Sequence, residues 1–241
     1  MNKTMIDWCD YSWNPVTGCN NGCFYCYARK IYHRFGRSFK PRFHPDRLNE
    51  IDRIKKPSRI FLGSVTDLWD PMVKPEWREK IFDKCLNMTW PTIRHHQFIA
   101  LTKQPQNIEY SITISSHKNL WVGVSIESIP HIDRWVALSQ KEYILNKIIS
   151  FEPVLGYFDD ESYAFHDLKV YFNRYGYPDW LIIGALTGMN KEECYDSRRE
   201  SESLINKLLE LPNRPPIFVK DNVMMKNPPR EFPKEMMIAN H

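Results

Sequence analysis

Leu120-Trp121-Val122-Gly123-Val124-Ser125 is apolar at nearly every position and stops at a polar residue. Strict alternation, the mark of a strand with one wet face, is absent. A short continuous run rich in β-branched and aromatic residues reads instead as a strand buried on both faces, as in a parallel sheet. The same wording recurs in Arg59-Ile60-Phe61-Leu62-Gly63-Ser64, Gln97-Phe98-Ile99-Ala100-Leu101-Thr102, Lys147-Ile148-Ile149-Ser150-Phe151, Trp180-Leu181-Ile182-Ile183-Gly184 and Ile217-Phe218-Val219. A more irregular strand is expected between Ile6 and Trp13. Residues 25–35, 75–86, 131–139 and 201–211 place apolar side chains at three- and four-residue spacing and read as amphipathic helices. Pro75-Glu76-Trp77 has the wording of a helical first turn. Segment 156–179, with eight aromatic residues, follows neither period. The alternation predicts one α/β domain over residues 1–241. Its architecture is a partial or full TIM-type barrel of mostly parallel strands with outer helices, or else a doubly wound sheet.

The ends of the runs favour the barrel. They give Thr66-Asp67, Lys103, Ser125 with Glu127, Glu152, Thr187 and Lys220-Asp221 in turn. Polar residues end any strand. Yet Lys103, Glu152 and Lys220 follow their apolar runs directly, and parallel strands turn every carboxyl end to one rim, where ligands bind. Asp67, Lys103, Ser125, Glu127, Glu152 and Lys220 are therefore expected to line one cavity, unless Lys103 and Glu152 merely pair with each other.

Apolar residues make up 42% and charged residues 26% of the 241, which excludes disordered and collagen-like classes. No apolar run approaches the roughly 20 residues that cross a bilayer. Met1 to Asp7 lacks the apolar segment and cleavage site of a secretory signal. A cytoplasmic protein without a membrane partner is expected. In that reducing compartment, clustered cysteines are ligands rather than disulfides.

Three of the six cysteines fall within eight residues, in Gly18-Cys19-Asn20-Asn21-Gly22-Cys23-Phe24-Tyr25-Cys26. Three thiolates on one loop can hold three irons of a cubane and leave the fourth open. A zinc site completed by Cys9, His33 or His44 is the rival, although zinc sites usually draw on two separated pairs. Cys9, Cys85 and Cys194 read as structural. Charge is uneven as well: between Ala28 and Ile60, eleven basic residues face three acids, with Tyr27, Tyr32, Phe35, Phe39 and Phe43 interleaved or adjoining. That pattern suits a nucleic-acid track, a phosphate pocket for a nucleotide-sized substrate, or a solvated helix face with core-facing aromatics.

CxxxCxxC with an aromatic residue directly before the third cysteine resembles the signature of the radical S-adenosylmethionine superfamily. The resemblance implies a [4Fe–4S] cluster on Cys19, Cys23 and Cys26 and S-adenosyl-L-methionine on the open iron, with Tyr25 near the adenine. It further implies a partial or full TIM-type barrel, reductive cleavage to a 5′-deoxyadenosyl radical, and an electron donor such as a flavodoxin or ferredoxin. Thr66 and Asp67 stand where the superfamily keeps its methionine-binding stretch, although Gly63-Ser64-Val65-Thr66-Asp67 replaces the usual Gly-Gly-Glu wording. Ser125 and Glu127 would serve the ribose. Lys103, Glu152 and Lys220 would meet the cofactor carboxylate or an anionic substrate, with Lys103 and Glu152 as the expected catalytic pair.

A narrower resemblance joins Trp13-Asn14-Pro15-Val16-Thr17-Gly18-Cys19, Phe61 to Leu68, Leu101-Thr102-Lys103-Gln104-Pro105, Trp121 to Glu127, Ser150 to Gly156 and Phe218-Val219-Lys220. These blocks are similar to a phage-associated radical-SAM-like family of uncharacterised function. That family's Gly-Gly-Glu-Ser-Gly stretch is replaced here by Gly184-Ala185-Leu186-Thr187-Gly188, without the acid. The expected protein is thus a radical S-adenosylmethionine enzyme acting on a nucleotide or nucleic acid. The alternative is a non-catalytic iron–sulfur or zinc protein that binds nucleic acid through residues 28–60.

Overall fold

The computed structural model describes residues 1–87, 96–115, 117–156, 164–189 and 191–237. Among these, the strands are β1 (Asn2–Lys3), β2 (Tyr11–Trp13), β3 (Val16–Thr17), β4 (Arg42–Phe43), β5 (Arg59–Leu62), β6 (Gln97–Thr102), β7 (Leu120–Ser125), β8 (Asn146–Val154), β9 (Trp180–Ala185) and β10 (Ile217–Val219). The helices are α1 (Tyr27–Arg34), α2 (Pro75–Asn87), α3 (Ile112–Ser115), α4 (Asp133–Ser139), α5 (Ala164–Tyr175) and α6 (Lys191–Leu209). The main sheet has the order β1-β2-β5-β6-β7-β8-β9-β10. Only β1 runs antiparallel there, and the other seven strands are parallel. Each new parallel strand is added on the same side, in chain order. That winding belongs to barrels, whereas a doubly wound sheet reverses its order at a switch point. The fold is α/β of the partial TIM-barrel class.

The chain divides into two compact units that are interleaved in sequence. One comprises residues 1–122, 143–146 and 235–241, the other 123–142 and 147–234. In the first, β2, β5 and β6 pair in parallel with Tyr11 opposite Ile60 and Ile60 opposite Phe98. Trp8, Trp13, Trp69 and Phe82 are fully buried there. In the second, β8, β9 and β10 pair in parallel with Ile149 opposite Leu181 and Leu181 opposite Ile217. Every residue of β9 is buried, as its unbroken apolar wording requires.

Helix boundaries depart from the apolar period for identifiable reasons. α1 starts at Tyr27 because Cys26 is its N-cap, its Sγ accepting the Arg29 amide. α6 begins ten residues before the apolar pattern of 201–211. Its first half, Lys191 to Arg199, instead buries Ser197, as the second half buries Ser201. The Ser197 hydroxyl accepts the Leu186 amide at 2.7 Å and donates to the Val154 carbonyl, fixing α6 to the ends of β8 and β9. Part of the unassigned segment is α5, whose Phe172 is buried while Tyr171 and Tyr175 stack at 5.9 Å on the same helix. Residues 157–163 lie outside the described residues. Among the described residues, no helix is long and apolar enough to cross a membrane.

Candidate functional site

The three-cysteine loop begins directly after β3, and it is fastened to the turns at the carboxyl ends of β5 and β6. Gly18 N–H donates to the Val65 carbonyl at 3.1 Å, and Thr66 Oγ1 donates to the Gly18 carbonyl at 2.6 Å. Asn20 N–H donates to Asp70 Oδ2, and Asn21 Nδ2 donates to Asp67 Oδ2 at 2.8 Å. Gln104, just after β6, donates from Nε2 to Asn21 Oδ1. Gly18 is required sterically. Its φ is +90°, and a Cβ there would lie 2.3 Å from the Lys40 carbonyl oxygen.

Asp67 is the centre of this fastening. It is buried, and besides Asn21 it accepts from Thr102 Oγ1 at 2.7 Å, Lys103 N–H at 2.9 Å and Trp69 N–H at 3.0 Å. A carboxylate offers about four acceptor positions. Those of Asp67 are met by protein donors from the cysteine loop, the β5 end and the β6 end. Thr66, likewise, gives its hydroxyl proton to the loop. Lys103 Nζ donates to Tyr25 Oη at 2.7 Å and lies 5.4 Å from the centre of that ring. Tyr25, next to the third cysteine, is thereby tied to the end of β6.

Cys19, Cys23 and Cys26 are free thiols, all of intermediate exposure. Cys19 Sγ accepts the Asn21 amide and Cys26 Sγ the Arg29 amide, each at 3.4 Å. Burial pushes the Cys19 thiol up to about 12; the Asn21 amide works against that rise, and the charges of Asp67, Asp70 and Cys23 add to it. Such a thiol keeps its proton at neutral pH until a metal displaces it. Among the described residues, no three His, Cys, Asp or Glu side chains are gathered as one metal ion requires. A cubane asks for something different, one thiolate at each of three separate corners. Three free thiols on one glycine-bent loop, two of them already accepting amide hydrogens, fit that demand. Of the residues weighed as a fourth zinc ligand, Cys9 is buried in the core, and His44 Nε2 meets Thr17 Oγ1 at 2.9 Å.

In the second unit, Glu152 and Lys220 form an ion pair. Gly184 leaves the room for it, since a Cβ there would lie 3.0 Å from Lys220 Cδ and 3.1 Å from Glu152 Cδ. Glu127 is buried and held by Arg134 Nη1 at 2.7 Å and His131 Nδ1 at 3.1 Å, and Arg134 also donates to the Ser125 carbonyl at 2.6 Å. The structure thus joins Tyr25 with Lys103, Thr66 and Asp67 with the cysteine loop, and Glu152 with Lys220. Sequence reasoning missed Asn21, Asp70, Gln104 and Arg134. Asn21 and Gln104 carried a signal, a side-chain amide within the cysteine spacer and another directly after Lys103.

The basic stretch is mixed. Tyr32 packs edge-on to buried Phe39 at 4.9 Å, and Phe43 stacks on Trp77 at 5.6 Å, as a core-facing reading expects. Tyr27 and Phe35 are 55% and 65% exposed.

Fold and loop together define an α/β partial-barrel protein with three cysteines at the carboxyl ends of its first parallel strands. The chain belongs to the family described as "Protein of unknown function (DUF5131)", which matches residues 3–201. Among solved structures it is similar to a mutant of spore photoproduct lyase, with 15% identity and a TM-score of 0.57. The likeness covers 88% of this chain and 65% of that one, so this chain spans less than two thirds of its length. At that identity the likeness is one of fold. No curated protein matches the chain.

Proposed function

We propose that this chain is a radical S-adenosylmethionine enzyme whose Cys19, Cys23 and Cys26 hold a [4Fe–4S] cluster with one iron open to the cofactor, and whose substrate is a nucleotide or nucleic acid. One observation carries the reading: a CxxxCxxC loop is fastened to the carboxyl ends of β5 and β6, where parallel α/β folds bind their ligands. The fold likeness to spore photoproduct lyase agrees with the partial barrel that the resemblance to the radical S-adenosylmethionine superfamily implies. When bound, the cluster and S-adenosyl-L-methionine supply one-electron cleavage of a sulfonium and hydrogen-atom abstraction.

The chain's own residues do the rest. Asp67 and Asp70 hold the spacer between the first two cysteines, so the thiols are presented from a fixed loop. Lys103 brings a positive charge beside Tyr25, which suits a carboxylate of the cofactor or an anionic substrate group. Ser125 and Glu152, within the carboxyl-terminal parts of β7 and β8, and Glu127 and Lys220, just after β7 and β10, belong to the same proposal. Glu127 acts there already paired with Arg134. Exposed Tyr27 and Phe35, set among Lys30, Arg34 and Arg37, are the support for a substrate of nucleic-acid class. The phage association rests on the sequence blocks alone.

Anaerobic purification tests the reading. Iron and sulfide at one cubane per chain, with 5′-deoxyadenosine released on adding dithionite and S-adenosyl-L-methionine, are the expected results. Zinc at the cysteines, or a cluster without cofactor cleavage, would favour the non-catalytic alternative.

A further inference from the structure

Arg29 sits in the first turn of α1 and touches two of the three cysteines. Its amide donates to Cys26 Sγ at 3.4 Å, and its guanidinium Nη2 donates to the Cys19 carbonyl at 2.8 Å. The guanidinium lies 5.3 Å from the centre of the buried Phe39 ring. Phe39 in turn accepts the Cys19 amide at its carbonyl, 2.9 Å away. Arg29 therefore closes the loop from its first cysteine to its last, against a rigid aromatic floor.

Its charge is unusual for that place. The N-terminus of a helix carries partial positive charge and favours acids in the first turn. α1 has none there, and no acid occurs between Tyr27 and Pro45. Among the described residues, the buried Arg29 Nε has no hydrogen-bond partner. Its other contacts there are a carbonyl and a ring, neither of which carries a charge. A partly buried charge without a counter-charge is costly, so the arrangement calls for an anion at the loop. A [4Fe–4S] cluster on three thiolates is such an anion, and its negative charge grows by one on reduction.

We infer that Arg29 is the counter-charge of the cluster, favouring its reduced form. This rests on the function proposed above. By Coulomb's law, a cation held beside an anion stabilises the more negative state more strongly. Lysine keeps the charge and loses the fork that reaches the Cys19 carbonyl, while glutamine loses the charge.

The test is a redox titration of the reconstituted full-length protein, followed by the electron paramagnetic resonance of the reduced cluster. Arg29→Gln and Arg29→Lys are compared with the wild type, and circular dichroism checks their folding. At the potential that half-reduces the wild type, the ratio of reduced to oxidised cluster is expected to fall about tenfold in Arg29→Gln, or about 59 mV for one electron. Arg29→Lys should stay within about threefold of the wild type, since the charge remains. A wild-type ratio in cluster-loaded Arg29→Gln overturns the inference. If Arg29→Gln does not fold, a tenfold fall in Arg29→Lys overturns it. Loss of the cluster from both folded variants also overturns it, leaving Arg29 a structural clamp. A wild type that takes up no cluster defeats the proposed function itself, which keeps the two failures distinct.

Discussion

Asn21, in the spacer between the first two cysteines, donates from Nδ2 to Asp67 Oδ2 at 2.8 Å and ties the cysteine loop to the turn after β5. Asp67 holds Thr102, Lys103 and Trp69 with its remaining acceptor positions. Asp67→Ala strands several buried donors at once, and a loss of about 3 kcal/mol is expected in urea unfolding. Iron uptake should fall with it. A variant that keeps both stability and iron would show that the loop is held by its other contacts.

Gly18→Ala brings a methyl group against the Lys40 carbonyl in a backbone conformation that disfavours side chains. The expected cost is about 2–3 kcal/mol. Gly36→Ala has a similar φ of +60° and open space around it, so only the backbone strain of about 1 kcal/mol applies. Equal thermal shifts in the two variants would refute the steric argument.

Serine at Cys19, Cys23 or Cys26 should abolish the absorbance of the cluster after anaerobic reconstitution. Cys9→Ala and Cys85→Ala should retain it, because both thiols are buried in the core. Iron analysis of the five proteins decides this, and a Cys9→Ala protein without iron would defeat the three-ligand, open-site reading.

Gly184→Ala places a methyl group 3.0–3.1 Å from Lys220 Cδ and Glu152 Cδ, so the side chains of their ion pair must give by a few tenths of an ångström. If the chain cleaves S-adenosyl-L-methionine as proposed and the pair takes part, 5′-deoxyadenosine release should fall at least about tenfold, with the absorbance of the reconstituted protein unchanged. Glu152→Gln, which preserves shape and removes the charge, should match it. Full turnover in both would remove the pair from the site.

Glu231 carries a prediction about pH. Its carboxylate is held below the usual glutamate range by Arg214, which donates to it from both Nη1, at 2.6 Å, and Nη2, at 2.9 Å. The Ile217 amide at the start of β10 adds a third bond. A depressed carboxyl stabilises the fold above its unfolded pKa and loses that contribution as pH falls through its folded value. The gain is small, about 1 kcal/mol or less, since the pair is partly exposed. Glu231→Gln should therefore be less stable than the wild type at neutral pH and approach it under acid. An unchanged difference across that range would contradict the pairing.

The strands were legible because their signal is local. A residue buried on both faces of a parallel sheet has to be apolar, so β6, β7 and β10 have the limits that their wording implies. The α/β class followed from the regular alternation of runs and helices, the preference for a barrel from the polar residues at the run ends, and the cysteine loop from spacing along a few residues. α5 and the first half of α6 were not legible. In the first half of α6 the buried side chain is a serine, and in the α5 region closely spaced aromatic residues mask the period.

What only the tertiary structure decided is who meets whom. Asp67 and Glu127 read in the sequence as carboxylates at strand ends, each available to a ligand. Folding surrounds the first with four donors and gives the second to Arg134 and His131. Tyr25 reached Lys103 across 78 positions, and Glu152 reached Lys220 across 68. The sequence by itself determined the residue types at each strand end, since burial imposes those one position at a time. Hydrogen bonds and ion pairs depend on a few ångströms between distant segments, and that spacing exists only once the sheet has assembled.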